Sequence, residues 1–207
     1  MIGDVMSISR LRMGTDGEGV STLITLHGCS LSCKYCINDY CHDEYCERGA
    51  YTPEKLIEVL KKDDIYYKMS GGGIVFGGGE PLLQSEFITE VFRLADPKWK
   101  KRIETSLNVS WDNIKPLLLK LTDEWIIDIK DINDEIYKEY TGCSNSVVLE
   151  NLLKLKKSIP PEKMRIRVPY IPNYNTTRNV EKSVKWVRNN LGIEAEQFRY
   201  FVTSNKE

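Results

Sequence analysis

The chain has 207 residues, with 29 basic and 30 acidic side chains for a formal charge of −1, and 41% of its residues are hydrophobic. That length suits one domain with a sizeable core, and the balanced charge gives no field that would gather nucleic acid or an anionic membrane. Six cysteines, with no secretory leader and no long apolar run, indicate a reducing cytoplasm rather than a disulfide scaffold or a membrane span.

Residues 1–19 read as a lead-in segment that ends in a glycine-rich turn, Gly14-Thr15-Asp16-Gly17-Glu18-Gly19, where glycine permits backbone angles that other residues resist. Val20 to Thr25, β-branched or apolar, predicts a first strand running straight into the stretch LHGCSLSCKYCIN, Leu26 to Asn38. Thr52 as N-cap and Pro53 at the first helical position predict a helix, with Leu56, Ile57, Val59 and Leu60 as its apolar stripe. Ile74 to Phe76 predict a short strand. The run Gly77-Gly78-Gly79-Glu80-Pro81 follows it, and Gln84 to Leu94 looks helical. A strand begins at Ile103 and ends near Thr105, and Trp111 to Leu121 predicts a helix that Pro116 limits or kinks. Glu124 to Lys130 predicts a compact buried strand, and Asp134 to Tyr140 and Val147 to Lys157 predict helices. Met164 to Tyr170 is the fifth predicted strand, Asn179 to Leu191 the amphipathic helix after it, and Gln197 to Val202 the sixth strand.

Strands alternating with helices point to right-handed βαβ units and a parallel sheet. The expected fold class is α/β: a partial (βα)6 TIM-like barrel of parallel strands, open on one side, over residues 20–203 of a single domain. In such architectures ligands bind at the C-terminal ends of the strands. The cysteines, the Gly77–Glu80 run, Thr105 and Ser106, Asp128 and Lys130, and Arg167 all fall at or just after those ends. That edge is the candidate site.

Cys29, Cys33 and Cys36 stand in a C-x3-C-x2-C spacing. Three thiolates cannot all pair as disulfides, and three is one short of a closed four-ligand site. An iron–sulfur cluster held by three cysteines leaves one iron open to something else, and an open position distinguishes a working metal site from a structural one. A zinc knuckle is the alternative, because Cys41, His42 and Cys46 can offer a fourth ligand. A non-catalytic iron–sulfur or zinc binding module therefore stands beside an enzyme as a reading. Asp128 and Lys130, two apart on a strand, point to the same face and can pair with each other. Cys41, Cys46 and Cys143 are left over, as small buried hydrophobes. His27 and His42 have no serine or acid at a nucleophile-like spacing, which leaves no hydrolytic reading.

The cysteine spacing, with Tyr35 just before the third cysteine, resembles the signature of the radical S-adenosylmethionine (SAM) superfamily. Within it, the chain resembles the glycyl radical enzyme activating enzymes, of the pyruvate formate-lyase activating enzyme type. The residues that carry this are the Gly14–Gly19 turn, the cysteine motif with Asn38, Ser70-Gly71-Gly72-Gly73, Gly77 to Gln84, Glu104-Thr105-Ser106 and Asp128-Ile129-Lys130. The resemblance implies a [4Fe-4S] cluster on Cys29, Cys33 and Cys36, with SAM chelating the fourth iron. It implies Gly78, Gly79 and Glu80 at the SAM amino group, Asp128 and Lys130 at its amino-acid end, and Arg167 beside it, with Arg165 as the alternate. Tyr35 is expected against the adenine, and Thr105 and Ser106 at the methionyl or ribose part. Glu104 and Thr105 match a pair that binds a monovalent cation in one family member.

Asp16 is the implied contact to the substrate backbone. The family usually has proline and arginine where this chain has Glu18 and Ser21, and a histidine after its last strand where this chain has Phe201-Val202-Thr203-Ser204. The implied reaction is reductive cleavage of SAM to a 5′-deoxyadenosyl radical, which abstracts hydrogen, most simply from a backbone glycine of a partner glycyl radical enzyme. No side chain need be catalytic in itself. Radical modification of a peptide or small molecule is the same-class alternative. An electron donor such as flavodoxin or ferredoxin is implied, and neither a membrane nor a nucleic acid partner is expected.

Overall fold

The computed structural model describes residues 1–200 and 202. Its strands are β1 (Gly3–Met13), β2 (Val20–Leu26), β3 (Gly49–Tyr51), β4 (Gly73–Gly78), β5 (Lys100–Thr105), β6 (Glu124–Asp128), β7 (Met164–Tyr170) and β8 (Glu196–Arg199). They form one eight-stranded sheet in the order β3-β1-β2-β4-β5-β6-β7-β8. Strands β2 and β4 to β8 pair in parallel, as expected, and the sheet stays open between β3 and β8. Strands β1 and β3 are antiparallel additions to the β2 edge.

The crossovers carry α1 (Pro53–Leu60), α2 (Asp64–Ser70), α3 (Ser85–Leu94), α4 (Pro116–Leu121), α5 (Asp134–Thr141), α6 (Ser146–Ser158) and α7 (Thr177–Leu191). Local chemistry sets their ends. Thr52 caps α1 by accepting from the Lys55 amide, and Thr176 and Asn179 cap α7 reciprocally. Pro116 opens α4 at its first position, so the helix expected from Trp111 begins later, behind a single 3-10 turn at Trp111–Asn113.

Side chains alternate across each strand. Ile74, Phe76, Ile103, Trp125, Ile127, Ile166 and Val168 face the helices and form one contiguous apolar core with them. Phe76 meets Phe87 and Phe92 of α3 at ring-centroid distances of 6.2 and 5.7 Å. The opposite, concave face carries charge. Arg102 pairs there with Glu124, Arg165 with Glu196, and Arg167 with Asp128 and Glu104. The barrel interior is therefore laid out as ionic layers rather than as a second apolar core.

Four elements differ from expectation. The lead-in segment is mostly an 11-residue strand, β1, paired along β2. Strand β3 and helix α2 were also not expected. The last strand ends at Arg199 rather than Val202. The remainder of that prediction, the barrel boundary at 203 and the Phe201–Ser204 stretch fall partly outside the described residues.

Candidate functional site at the C-terminal strand edge

Strand β2 delivers the cysteine loop, and four elements hold it. Gly28 donates its amide to the Cys41 carbonyl (3.0 Å), Ser32 to Thr141 (2.8 Å) and Lys34 to Tyr140 (3.0 Å), the last two at the end of α5. The Ser30 hydroxyl donates to the Asn108 carbonyl (2.5 Å) in the loop after β5. Cys29, Cys33 and Cys36 are all half-buried. Burial pushes the Cys29 thiol up, and pushes Cys33 up to about 11 against the opposing pull of Lys130. Among the described residues, no three His, Cys, Asp or Glu side chains stand grouped to hold a metal ion. A single zinc would need its ligand atoms drawn within about 2.0–2.3 Å of one point. A cluster instead takes each thiolate on a different iron, and the C-x3-C-x2-C loop offers three such thiols.

The glycine run is stitched to the base of that loop. The Gly79 amide donates to the Leu26 carbonyl (3.0 Å) and the Glu80 amide to the Gly28 carbonyl (2.8 Å). A Cβ at Gly79 would lie 2.1 Å from the Gly28 oxygen, so only glycine allows this approach. Asn38 donates from its side chain to the Gly78 carbonyl (3.2 Å). Glu80 is 1% exposed. Its carboxylate accepts from the Thr105 hydroxyl (2.6 Å), the Ser106 hydroxyl (2.6 Å), the Ser106 amide (2.9 Å) and the Leu82 amide (3.2 Å). Burial raises its pKa and these donors oppose the rise. Glu80, Thr105 and Ser106 thus form one cluster, with both hydroxyls given to the carboxylate.

Beside it runs a chain of charges. Lys130 Nζ meets Asp128 Oδ2 at 2.8 Å and also donates to the Tyr200 hydroxyl. Arg167 Nε meets Asp128 Oδ1 at 2.6 Å, and Arg167 Nη2 pairs with Glu104. Asp128 is held below the usual carboxylate range by Lys130 and Arg167 against its burial, and Lys130 is held well above its usual value by Asp128. Arg167 lies in the middle of β7, not at its end as expected. It reaches the site because the parallel register sets it beside Asp128, the last residue of β6. Arg165, the alternate, pairs with Glu196 one layer lower. Glu104 and Thr105 point to opposite faces of β5, one to Arg167 and the other to Glu80.

Tyr35 packs edge-on against Tyr140 and Tyr174 (6.0 and 5.5 Å), and its hydroxyl accepts from the Asn173 side chain (3.2 Å). Of the remaining cysteines, Cys41 is 1% exposed and its thiol, pushed up to about 12 by burial, lies next to that of Cys29. Cys143 donates to the Ser30 carbonyl at 3.5 Å.

Asp16 lies elsewhere. The Gly14–Gly19 turn joins β1 to β2 at the N-terminal ends of the strands, opposite the cysteines. Asp16 is 3% exposed there. Arg12 clasps both its oxygens, and the Ser21 hydroxyl donates to it at 3.5 Å. A cavity of about 780 Å³ opens at this end, lined in part by the turn, Arg102, Arg165 and Glu196.

Sequence reasoning missed Tyr200 and Tyr140, which pack on Lys130 and Tyr35, and Arg12, which holds Asp16. The Arg12 signal was available as its cross-strand register with Ser21 once β1 is drawn as a strand. The tyrosines carry no local signal.

A family model described as the radical SAM superfamily matches residues 23–187. The chain is 37% identical to the (2S)-3-sulfopropanediol dehydratase activating enzyme of Klebsiella oxytoca, over 92% of this chain and 78% of that one. It is 30% identical to the pyruvate formate-lyase-activating enzyme of Clostridium pasteurianum, over 94% and 80%. Streptococcus suis SuiB, solved bound to S-adenosylmethionine, superposes with a TM-score of 0.64 over 89% of this chain and 41% of its own, at 13% identity. That last likeness is one of fold.

Proposed function

The chain belongs to the radical SAM superfamily, among its activating enzymes, and from that premise we propose that it installs a glycyl radical on a partner enzyme by taking a hydrogen atom from a backbone glycine. The observation that supports this most is the joining of three motifs at one strand edge. The Leu26, Gly28 and Gly78 carbonyls tie the cysteine loop to the Gly78–Glu80 loop, and Lys130 lies within electrostatic reach of Cys33.

Cys29, Cys33 and Cys36 would hold a [4Fe-4S] cluster, and SAM would complete the open iron. Together they supply a carbon-centred radical that abstracts hydrogen. This chain's residues bind and orient. Lys130 carries a positive charge suited to the SAM carboxylate, while Asp128 and Arg167 fix its position. Gly78 and Gly79 present backbone without side chains, so a cofactor amino group can approach closely. Glu80 keeps Thr105 and Ser106 in place behind them. Tyr35, braced by Tyr140 and Tyr174, offers an aromatic edge for the adenine. Asp16, buried at the other end of the barrel with both oxygens clasped by Arg12, holds the Gly14–Gly19 turn in place. A one-electron carrier such as flavodoxin or ferredoxin is the reductant this reading calls for.

The test incubates the reduced, cluster-loaded chain with SAM and a candidate glycyl radical enzyme without oxygen, then records an electron paramagnetic resonance spectrum. A glycine-centred doublet is the expected result, absent in Cys36→Ala. If every such partner gives only uncoupled 5′-deoxyadenosine, while a short peptide or metabolite consumes SAM stoichiometrically, the reading fails.

A further inference from the structure

Tyr137 of α5 is a polar group that the chemistry above does not use. It is 1% exposed and belongs to the apolar core against which Cys33 packs. Among the described residues, its hydroxyl is buried and has no hydrogen-bond partner. Burial raises its pKa, so the proton stays on the oxygen. A buried donor left unmade costs free energy that an acceptor recovers, so such a hydroxyl calls for one. Helix α5 fixes where it lies. The last turn accepts the Ser32 amide on the Thr141 carbonyl (2.8 Å) and the Lys34 amide on the Tyr140 carbonyl (3.0 Å), and so grips the cysteine loop on both sides of Cys33. Tyr137 stands one turn before Thr141, whose hydroxyl donates to the Tyr137 carbonyl (2.7 Å).

The groups around the hydroxyl say which acceptor. Those whose charge acts on it are, strongest first, Cys33, Lys130, Glu80 and Cys143. Lys130 is an ammonium with nothing to accept with, and it already meets Asp128 and Tyr200. Glu80 accepts from Leu82, Thr105 and twice from Ser106, which fills the lone pairs of its two oxygens. Cys143 is a weak acceptor whose thiol is given to the Ser30 carbonyl. The sulfur of Cys33 remains. As a metal ligand it is a thiolate, and a hydrogen bond to an ionised acceptor is roughly twice as strong as one between neutral groups.

We propose that Tyr137 donates its hydroxyl hydrogen to the Cys33 sulfur when that sulfur ligates the cluster, and that it thereby raises the cluster's reduction potential. Hydrogen bonds to the sulfurs are among the factors that set such potentials. A donor aimed at one of them favours the state with one more negative charge. The electron comes from the one-electron carrier, which is oxidised by one, and the proton stays on Tyr137. Tyr137 is then a positioning residue that acts through Cys33 and eases electron entry. This rests on the reading of Cys29, Cys33 and Cys36 as cluster ligands, and it adds which side chain sets how readily the cluster is reduced.

The experiment compares the wild-type protein with Tyr137→Phe, which keeps the ring and removes only the hydroxyl, after anaerobic reconstitution and without SAM. Iron and sulfide contents should match. A spectroelectrochemical titration should show reduction about tenfold less favourable in Tyr137→Phe, a midpoint about 59 mV more negative for a one-electron couple. Replacing Tyr137 with 3-fluorotyrosine, a stronger donor of nearly the same shape, should move the midpoint the other way, and it decides the matter if Tyr137→Phe assembles no cluster. A wild-type midpoint in each substituted protein that holds a cluster overturns the proposal. So does an unchanged midpoint with weakened SAM binding in Tyr137→Phe, which would give the hydroxyl to SAM instead. The two readings fail separately. A wild-type midpoint in Tyr137→Phe, with a glycyl doublet still formed on the partner, would sink this inference and leave the function standing. A shifted midpoint with no doublet on any partner would keep the role of Tyr137 and remove the activase.

Discussion

At the scale of single residues, the question is which of six thiols matter, and their surroundings answer it. Cys29, Cys33 and Cys36 sit on a loop whose amides and hydroxyls are pinned to β5, α5 and the glycine run, so their positions are fixed before anything binds. Cys41 lies inside the same loop but is fully covered, a small hydrophobe beside Cys29. Cys143 is spent on the Ser30 carbonyl. Anaerobic reconstitution should therefore give no visible iron–sulfur absorption in Cys29→Ala, Cys33→Ala or Cys36→Ala, and wild-type iron in Cys46→Ala and Cys143→Ala. Cys41→Ala should also keep its cluster, with at most a cavity cost of about 1 kcal/mol in stability. An iron content near zero in Cys41→Ala would move the ligand set. These three cysteines were legible in the sequence because their chemistry is a spacing, and a spacing is local. Arg12 and Arg102 were not, because each acts on a turn only after β1 and β5 are laid beside it.

At the scale of elements, legibility followed periodicity. Strand β5 begins at Lys100, three residues before the expected Ile103, because its first half is the charged run Lys100-Lys101-Arg102, whereas strands β4, β6 and β7 read clearly. Strand β1 did not, because its ladder to β2 shifts register between Val5 and Ser7 and again between Ser9 and Arg12, and each shift breaks the period of two. Helix α2 hides for a different reason: only Tyr67 of its seven residues is buried, so it has no apolar stripe to detect. What attaches both elements is Asp63, just before α2. Its oxygens accept from Arg10 of β1 at 2.8 and 2.6 Å and from Thr22 of β2 at 3.3 Å, and Tyr67 donates to Thr22 at 2.6 Å. Arg10 holds the Asp63 carboxyl below its usual range. A depressed folded pKa means stability that is complete above the unfolded value near 3.9 and is lost as pH falls through the folded one. Asp63→Asn should cost about 1.5–3 kcal/mol at pH 7, the worth of a charge-assisted bond, partly discounted because Arg10 is half-exposed. Denaturant unfolding of both proteins should show the gap shrinking below pH 4. A gap independent of pH would mean that Asp63 acts by shape and not by charge.

At the scale of the whole molecule, the barrel has two ends with different tasks and an ionic interior between them. The C-terminal end holds the cysteine and glycine loops, joined through β2 and β4 side by side, and the N-terminal end holds the Asp16 turn over Arg102. The sheet does not close, so no ladder joins β8 back to β3, and a cofactor bound across the loops after β2, β4 and β6 adds cross-strand ties to the folded state alone. SAM should therefore raise the melting temperature of the cluster-loaded protein. A ligand at about 100 times its dissociation constant adds roughly 2.7 kcal/mol, which for a chain of this length is about 5–10 °C. Cys33→Ala, unable to present an open iron, should show almost none of that rise. Lys130→Met should keep its cluster and its fold, since Asp128 retains Arg167 as a partner. Losing one charged hydrogen bond to the cofactor, worth about 1.5–3 kcal/mol, lowers affinity by one to two decades. At the same SAM concentration the shift should then fall to about 1–5 °C. Anaerobic differential scanning calorimetry measures all three proteins without any turnover. An undiminished shift in Lys130→Met would show that Lys130 serves Asp128 and Tyr200 alone, and that the SAM carboxylate is held elsewhere on the strand edge.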